Sequence, residues 1–332
     1  MAEIARSGSN DRRNVSSSAI RLNGDDRSCT LPGMCAATRI HPDGPVVDAA
    51  LVRRLIAAQF PQWERLPVTP AATSGADNAM FRLGPELAVR LPRVEWAAGG
   101  LRREQQWLSR LAPRLPLPVP APLAVGRPAA GYPWEWSVLH WLDGANPVVH
   151  ALAAPQALAR DLAGFVNALR AVDPADAPVS QRSVPLASRD GATRAAIAQL
   201  SGSIDTEAAT ALWDKALRLP DYAGPPVWLH GDLTPGNLLL TGAGRLAAVI
   251  DFALMGVGDP TADLIAAWNL LPATARPAFR AALHADEAMW ARGRAWAFSL
   301  ALVTIPYYRH TDQALTANAR HVVREVLADR SV

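Results

Sequence analysis

One segment constrains this chain more than any other: residues 228–240, WLHGDLTPGNLLL. An apolar run leads into Asp232, a Pro-Gly turn follows, and Asn237 opens a second apolar run. A third apolar run ends at Asp251, which lies eleven residues after the last residue of the second run. Two carboxylates and an amide at strand ends form a converging oxygen cluster, and Mg²⁺ prefers one or two such carboxylates together with substrate phosphates. The spacing therefore predicts strands that present an oxygen-rich metal site.

Each of these residues also has an ordinary structural explanation. An Asp before a Pro-Gly turn is a common turn former, an Asn before a strand can be a cap, and Asp251 could simply end a strand. These explanations predict no particular spacing, whereas Asp-x4-Asn followed by a strand ending in Asp-Phe is the arrangement of kinase catalytic loops. The joint pattern thus favours a phosphoryl-transfer site.

The two motifs resemble those of a known family. HGDLTPGN is similar to the H-G-D-x-x-x-x-N motif of the aminoglycoside phosphotransferases and related small-molecule kinases, and residues 250–264, IDFALMGVGDPTADL, resemble their metal-binding segment. The resemblance covers roughly residues 70–310. Protein kinases carry H-R-D and D-F-G instead, so Gly231 and Ala253 place the chain nearer the small-molecule branch. An A-P-E-like segment is also missing after Asp251, which disfavours a protein kinase.

The resemblance implies an α+β, two-lobed protein-kinase-like fold, with a small antiparallel-sheet N-lobe and a mainly helical C-lobe. It implies that Asp232 is the catalytic base, that Asn237 and Asp251 hold Mg²⁺, and that ATP or GTP is the co-substrate. The acceptor would be a hydroxyl of a small molecule. His230 is expected to support the loop, and the aspartates of the segment GDPTAD, Asp259 and Asp263, are expected to brace it.

Side-chain periodicity in the N-terminal half predicts a second charged pair. In the strand LAVRLP, Ala88 and Arg90 share one face, and Glu104 lies on the apolar stripe of a helix predicted over residues 101–111. A buried charge is costly unless it is paired, so Arg90 is the expected partner of Glu104. Alternatively, Glu104 reaches solvent at the edge of the stripe and Arg90 is a surface residue. In the kinase pattern the alanine covers the adenine and a lysine reaches the phosphates; here arginine, which keeps the charge and adds a bidentate fork, replaces that lysine.

Two further nucleotide contacts are expected from position alone. Ser74 lies in residues 73–78, TSGADN, where a phosphate-covering loop should be, although an ordinary hairpin turn explains this segment equally well. Trp141 lies where the hinge between the lobes should meet the adenine, and its alternative explanation is a strand end.

The pattern along the chain divides it into three parts. Residues 1–40 are rich in Ser, Asn, Asp and Arg and predict a disordered extension. Residues 41–143 show a helix capped by Asp48, two strands, a helix and further strands, and predict a nucleotide-binding N-lobe. Residues 144–332 predict a C-lobe with a helix over 152–171, a loop near 173–192 and several terminal helices. Aromatic residues near the end, Trp290, Trp296, Tyr307 and Tyr308, are expected in the core rather than at a substrate platform.

Composition excludes several classes of protein. A net charge of +3 is too small for a nucleic-acid footprint, and no apolar run reaches the roughly 20 residues of a membrane helix. Two cysteines, Cys29 and Cys35, exclude a disulfide framework and suit the cytoplasm. We therefore expect a cytoplasmic protein that binds a nucleotide and a small molecule, and neither nucleic acid nor membrane.

Neither motif identifies the acceptor. Aminoglycosides are polycations, yet acidic and basic residues in the predicted C-lobe are balanced, with Asp286 and Glu287 as modest acidic candidates. A macrolide, another antibiotic or a metabolic alcohol stays open. So does a nucleotide-binding protein that has lost transfer activity: Arg90 in place of lysine favours it, and the intact Asp232, Asn237 and Asp251 oppose it.

Overall fold

A computed structural model describes residues 44–71 and 77–329. Its first helix, α1 (Ala49–Gln59), begins as predicted after Asp48, whose carboxylate accepts a hydrogen bond from the Leu51 amide at 2.7 Å. An aspartate at this position satisfies an amide that has no partner within the helix. The apolar residues of α1 are buried against a sheet.

The N-lobe is built on this sheet, which has five antiparallel strands within the described residues: β1 Val68–Pro70, β2 Asn78–Leu83, β3 Leu87–Pro92, β4 Pro122–Gly126 and β5 Trp136–His140. Their order in the sheet is β1-β2-β3-β5-β4. Central β3 pairs with β2 on one side and with β5 on the other, so that Ala88 and Arg90 share one face as predicted. The short strand β1 was not predicted.

Helix α2 (Glu95–Leu111) crosses the sheet and is six residues longer at its start than predicted. Val94 stands at its N-cap and makes no side-chain hydrogen bond, so the polar residue that usually signals a helix start is missing. The predicted apolar stripe is correct: Leu101, Glu104, Leu108 and Leu111 are all buried.

The C-lobe is mainly helical around a large apolar core. Trp290 and Trp296 lie in this core as expected, but Tyr307 is 54 % exposed, and the core prediction is wrong for it. Ile305 is the last buried residue of helix α8 (Glu287–Tyr308), and Tyr307 lies in the final turn beyond the core. The helices are α3 Pro155–Arg170, α4 Asp190–Gln199, α5 Thr206–Ala216, α6 Ala266–Asn269, α7 Arg276–Ala282, α8 Glu287–Tyr308 and α9 Gln313–Ala328.

Two short antiparallel pairs carry the predicted motifs at the N-lobe side of the C-lobe. Strand β6 (Val227–Leu229) pairs with β9 (Gly256–Gly258), and β7 (Leu238–Leu240) pairs with β8 (Leu246–Val249). A small apolar cluster joins the sheet to β7 and β8 and forms the floor of a cleft between the lobes; its members are Met80, Ala88, Leu139, Leu239, Ala248 and Ile250.

Some sequence predictions fall on residues that the structure does not describe. The predicted extension over residues 1–40 and the loop residue Ser74 lie outside the described ranges. In the part of the chain that is described, no helix has the length and apolar character needed to span a bilayer.

Candidate active site

The turn between β6 and β7 brings Asp232 and Asn237 together. A 3₁₀ segment, Pro235–Asn237, reverses the chain, and Nδ2 of the Asn237 side chain then donates to both the backbone carbonyl and Oδ2 of Asp232, each at 2.9 Å. Both side chains are buried. The Asp-x4-Asn spacing is therefore the spacing that closes this loop.

Asp251 follows β8 and has a φ of +62°. A non-glycine residue in this left-handed region is uncommon and often marks a functional site. Burial raises the pKa of Asp232 to about 7; Arg182 opposes that effect, and the negative charge of Asp251 adds to it. The two carboxylates thus lie close enough to repel each other, which favours a cation between them.

The loop that carries Asp232 is braced by buried polar groups. Asp263 accepts hydrogen bonds from the backbone amides of His230 and Gly231, at 3.0 and 2.8 Å. The Asp232 amide donates to Nδ1 of His230, so Nε2 carries the proton and donates to the Ile250 carbonyl. Burial lowers the pKa of His230 and keeps the ring neutral. These contacts match the supporting roles that were predicted for His230 and Asp263.

Two residues at this loop were missed by the sequence reasoning. The Asn146 side-chain amide lies within 2.9–3.3 Å of three carbonyls of the turn, those of Pro235, Gly236 and Leu238. Arg182 donates to the Gly231 carbonyl and faces Asp232. Both come from segments without apolar periodicity, and no local pattern signals their position.

The predicted pair of Arg90 and Glu104 is present and buried, with Nη1 and Oε2 2.6 Å apart. Glu104 also accepts from the Phe252 amide through Oε1 at 2.7 Å, and Arg90 Nη2 lies 3.4 Å from Oδ1 of Asp251. Burial lowers the pKa of Arg90, but the two carboxylates outweigh it and leave that pKa above its ordinary value. The pair therefore links α2 and β3 to the segment that carries Asp251.

Helix α2 is fastened to this segment by two further contacts. Arg103 donates to the Ala253 carbonyl. A Cβ at Gly100 would come within 2.9 Å of the Ala253 side chain, so only glycine permits this approach. The alanine that replaces the glycine of D-F-G is thus accommodated by a glycine on the facing helix.

A pocket lies between the sheet and the segment that carries Asp251. Three of the residues predicted to bind the nucleotide, Ala88, Arg90 and Trp141, line it, and Glu104 lies behind Arg90. The N–H of Trp141 already donates to the Glu86 carbonyl at 2.7 Å, so a base would meet other backbone groups of this hinge. The remaining lining residues are Met80, Pro120, Leu139, His140, Leu142, Ile250 and Asp251.

The chemistry of the site fits a hard divalent cation. Oδ1 of Asn237 is buried and has no hydrogen-bond partner among the described residues, although such oxygens are nearly always satisfied. Within residues 44–71 and 77–329, no three His, Cys, Asp or Glu side chains form a metal cluster. Mg²⁺ does not need one, because phosphates and water complete its shell around one or two carboxylates.

Comparison with solved structures supports the fold. The chain superposes on the GDP complex of aminoglycoside 2'-phosphotransferase-IIIa with a TM-score of 0.69 and 19% identity, covering 85% of this chain and 99% of the other. For the streptomycin–ATP–APH(2")-IIa ternary complex the TM-score is 0.56 at 17% identity, covering 85% and 97%. For the macrolide 2'-phosphotransferase MphH from Brachybacterium faecium, an apoenzyme, it is 0.58 at 22% identity, covering 82% and 97%. At these identities the likeness concerns the two-lobed fold.

The sequence itself carries the family assignment. No curated protein sequence matches the chain. The sequence model of the phosphotransferase enzyme family, however, matches residues 68–296. This range spans the sheet, the cleft and both sequence motifs, and it is more than half of the chain. The chain therefore belongs to the phosphotransferase enzyme family.

Proposed function

We propose that this protein transfers the γ-phosphoryl group of ATP or GTP to a hydroxyl of a small molecule, such as an aminoglycoside or another antibiotic. One observation carries the proposal: Asp232, Asn237 and Asp251 converge beside a pocket lined by the hinge, Ala88 and Arg90. The structures of similar fold include complexes with GDP, ADP, ATP, kanamycin and streptomycin, which supports a nucleotide donor and an antibiotic acceptor.

The nucleotide would lie in the pocket between the lobes. Ala88 presents a small apolar surface to a base, and the Arg90 guanidinium is charged and directed at the cleft by Glu104. Asn237 and Asp251 would hold Mg²⁺, which neutralises charge on the transferred phosphoryl group when it is bound. In this proposal residues 41–143 hold the nucleotide, residues 144–332 supply the catalytic loop, and Ser74 contacts the phosphates.

Asp232 would act on the acceptor. Its Oδ2 is fixed by the Asn237 amide, which leaves Oδ1 to accept the proton of the substrate hydroxyl. The acceptor oxygen then bonds to the γ-phosphorus, the bond to the β-phosphate oxygen breaks, and the nucleoside diphosphate leaves. Because positioning and charge neutralisation supply most of the rate in such transfers, the braced loop is the main contribution of the protein. A cytoplasmic location, where ATP and GTP are available, is part of the proposal.

The alternative is a kinase-like nucleotide-binding protein without transfer activity. Arg90 in place of lysine is the observation that favours it. A kinase of a metabolic alcohol is a further alternative, since the residues described do not identify the acceptor.

A substrate panel tests the proposal. Purified protein is incubated with Mg²⁺, ATP or GTP, and kanamycin, streptomycin, a macrolide and a set of metabolic alcohols, and products are examined by mass for the gain of one phosphate. We expect one acceptor to gain a phosphate and Asp232→Ala to abolish the gain. Asp161→Ala serves as the control, because Asp161 pairs with an exposed arginine, Arg245. Nucleotide binding without any phosphate transfer would reject the proposal in favour of the inactive alternative.

A further inference from the structure

The segment from Pro178 to Ser183 lies along β9 and is bonded to it at several points. The Val257 amide donates to the Pro178 carbonyl at 2.8 Å, and the Ser180 amide donates to the Val257 carbonyl at 3.0 Å. Side chains add two bonds: Ser180 Oγ donates to the Leu254 carbonyl at 2.8 Å, and Ser183 Oγ accepts from the Asp259 amide at 2.7 Å. This polar segment, predicted only as loop, is therefore held firmly against the metal-binding segment.

Two glycines make this approach possible. A Cβ at Gly256 would lie 2.6 Å from both the Pro178 carbonyl oxygen and the Ser180 nitrogen, and one at Gly258 would lie 1.7 Å from Ser183 Oγ. Since backbone atoms cannot give way as a flexible side chain can, the contact at Gly256 requires glycine. The glycines of the sequence GVGDP thus admit the segment that carries Arg182.

Arg182 extends from this segment beneath the catalytic loop, and its side chain is only 6 % exposed. Nε donates to the Gly231 carbonyl at 3.2 Å, and Nη2 lies 3.9 Å from Oδ1 of Asp232. Burial lowers the pKa of Arg182, and the charge of Asp232 opposes this. A buried cation is costly without an anionic partner, and Asp232 is the acidic group that Arg182 faces.

The two oxygens of Asp232 therefore have different surroundings. Asn237 donates directly to Oδ2 at 2.9 Å. Oδ1 faces the guanidinium at a distance longer than a hydrogen bond, so its lone pairs stay available to a substrate hydroxyl. A carboxylate that is hydrogen-bonded at only one oxygen can rotate about the Cβ–Cγ bond. A fixed positive charge beside the other oxygen opposes that rotation.

We propose that Arg182 is a positioning residue for phosphoryl transfer: it anchors the Gly231 carbonyl and orients Asp232 so that Oδ1 faces the acceptor hydroxyl. The inference rests on the proposed function, because it assigns Asp232 the role of base. It adds a residue that lies 50 positions before the catalytic aspartate in sequence and that neither motif contains.

Three variants test the role. Arg182→Met removes the charge and the hydrogen bonds, and Arg182→Lys keeps the charge but loses the fork. Arg276→Met is the matched control, because Arg276 is also buried, donates through Nε to backbone carbonyls and pairs with a carboxylate far from the loop. For each variant, kcat and the KM for the nucleotide are measured with MgATP and MgGTP, using water, kanamycin, streptomycin and erythromycin as acceptors. Thermal unfolding gives the folded fraction used to normalise the rates.

We expect Arg182→Met to lower kcat on the order of 100-fold, the loss typical of a misplaced catalytic group. Arg182→Lys should have a kcat about tenfold higher than Arg182→Met, because lysine restores the positive charge but not the planar guanidinium. The nucleotide KM should stay within about threefold of wild type, and Arg276→Met should keep the wild-type kcat per folded molecule.

Several results would overturn the inference. They are a wild-type kcat in Arg182→Met, an equal loss in Arg276→Met, or a loss confined to the nucleotide KM. If Arg182→Met does not fold, Arg182→Lys decides: a kcat about tenfold below wild type supports the role, and an unchanged kcat rejects it. A wild-type protein that neither hydrolyses nucleotide nor phosphorylates an acceptor would reject the proposed function as well, whereas active wild type with active variants rejects only the role of Arg182.

Discussion

Replacing Asp232 by Asn should make the protein more stable while it abolishes transfer. Burial raises the pKa of the Asp232 carboxyl from 3.8 to about 7. A carboxyl whose pKa is raised on folding favours the folded state at low pH, and this contribution is lost as the pH rises from the unfolded pKa through the folded one. Asn is neutral at every pH, so the variant escapes that loss. The gain in stability should therefore appear between pH 4 and pH 8.

The size of the effect follows from the two pKa values. The interval between 3.8 and about 7 corresponds to about 4 kcal/mol once both states are ionised. At pH 5 the wild type has lost only about 1.5 kcal/mol of this stabilisation. The difference in the free energy of unfolding between Asp232→Asn and wild type should therefore grow by about 2 to 3 kcal/mol between pH 5 and pH 8. The Asn side chain can still accept from Asn237 through its carbonyl oxygen, which keeps the loop closed.

Urea unfolding at pH 5, 6, 7 and 8, with a chelator to remove divalent cations, measures the free energy of unfolding of both proteins. Asp161→Asn is the control with the opposite sign: hydrogen bonding to Arg245 lowers the pKa of Asp161, so this variant should be less stable than wild type by an amount that does not change over this range. This prediction is wrong if the difference in the free energy of unfolding between Asp232→Asn and wild type does not change with pH, or if the variant is less stable than wild type at pH 8. Either result would mean that ionising the buried Asp232 carboxyl does not lower stability.

Two more substitutions test the packing that positions the site. Gly256→Ala should lower the free energy of unfolding by about 3 kcal/mol, since its methyl group would meet backbone atoms at 2.6 Å. Gly242→Ala is the control, because no atom lies within 4 Å of the added methyl group, and it should be neutral in the same urea titration. Equal effects of the two substitutions would contradict the packing described for Gly256. Ala88→Phe should weaken nucleotide binding at least about tenfold in calorimetry by filling the pocket, whereas unchanged affinity would mean that the base binds elsewhere.

The parts of the site that the sequence predicts are those encoded over short distances. Asn237 follows Asp232 by five residues, and a single turn suffices to bring the amide onto the carboxylate. The pair of Arg90 and Glu104, fourteen residues apart, could be found because strand and helix periodicity each define a face. The fold class followed from the same two motifs through the family they resemble.

Other parts are set by tertiary packing and leave no local pattern. Arg182 reaches Gly231 across 49 positions, and Asn146 reaches the turn across about 90. A lone polar residue in a segment without periodicity does not indicate what it will contact. The start of α2 was missed for a related reason, because Val94 supplies no polar cap.

Arg90 shows how the structure changes the meaning of a departure from the kinase pattern. From the sequence, arginine in place of lysine was the main reason to consider an inactive protein. In the structure its two terminal nitrogens have different partners: Nη1 pairs with Glu104 on α2, and Nη2 lies near Asp251 on the segment that follows β8. The single ammonium group of lysine is a point charge and lacks the planar fork that reaches both carboxylates at a fixed separation. Arg103 also joins this helix to the segment that carries Asp251, because it donates to the Ala253 carbonyl. Arg90 is therefore one part of a connected set of contacts that supports Asp251. A nucleotide site that had lost its function would have no need to keep these contacts.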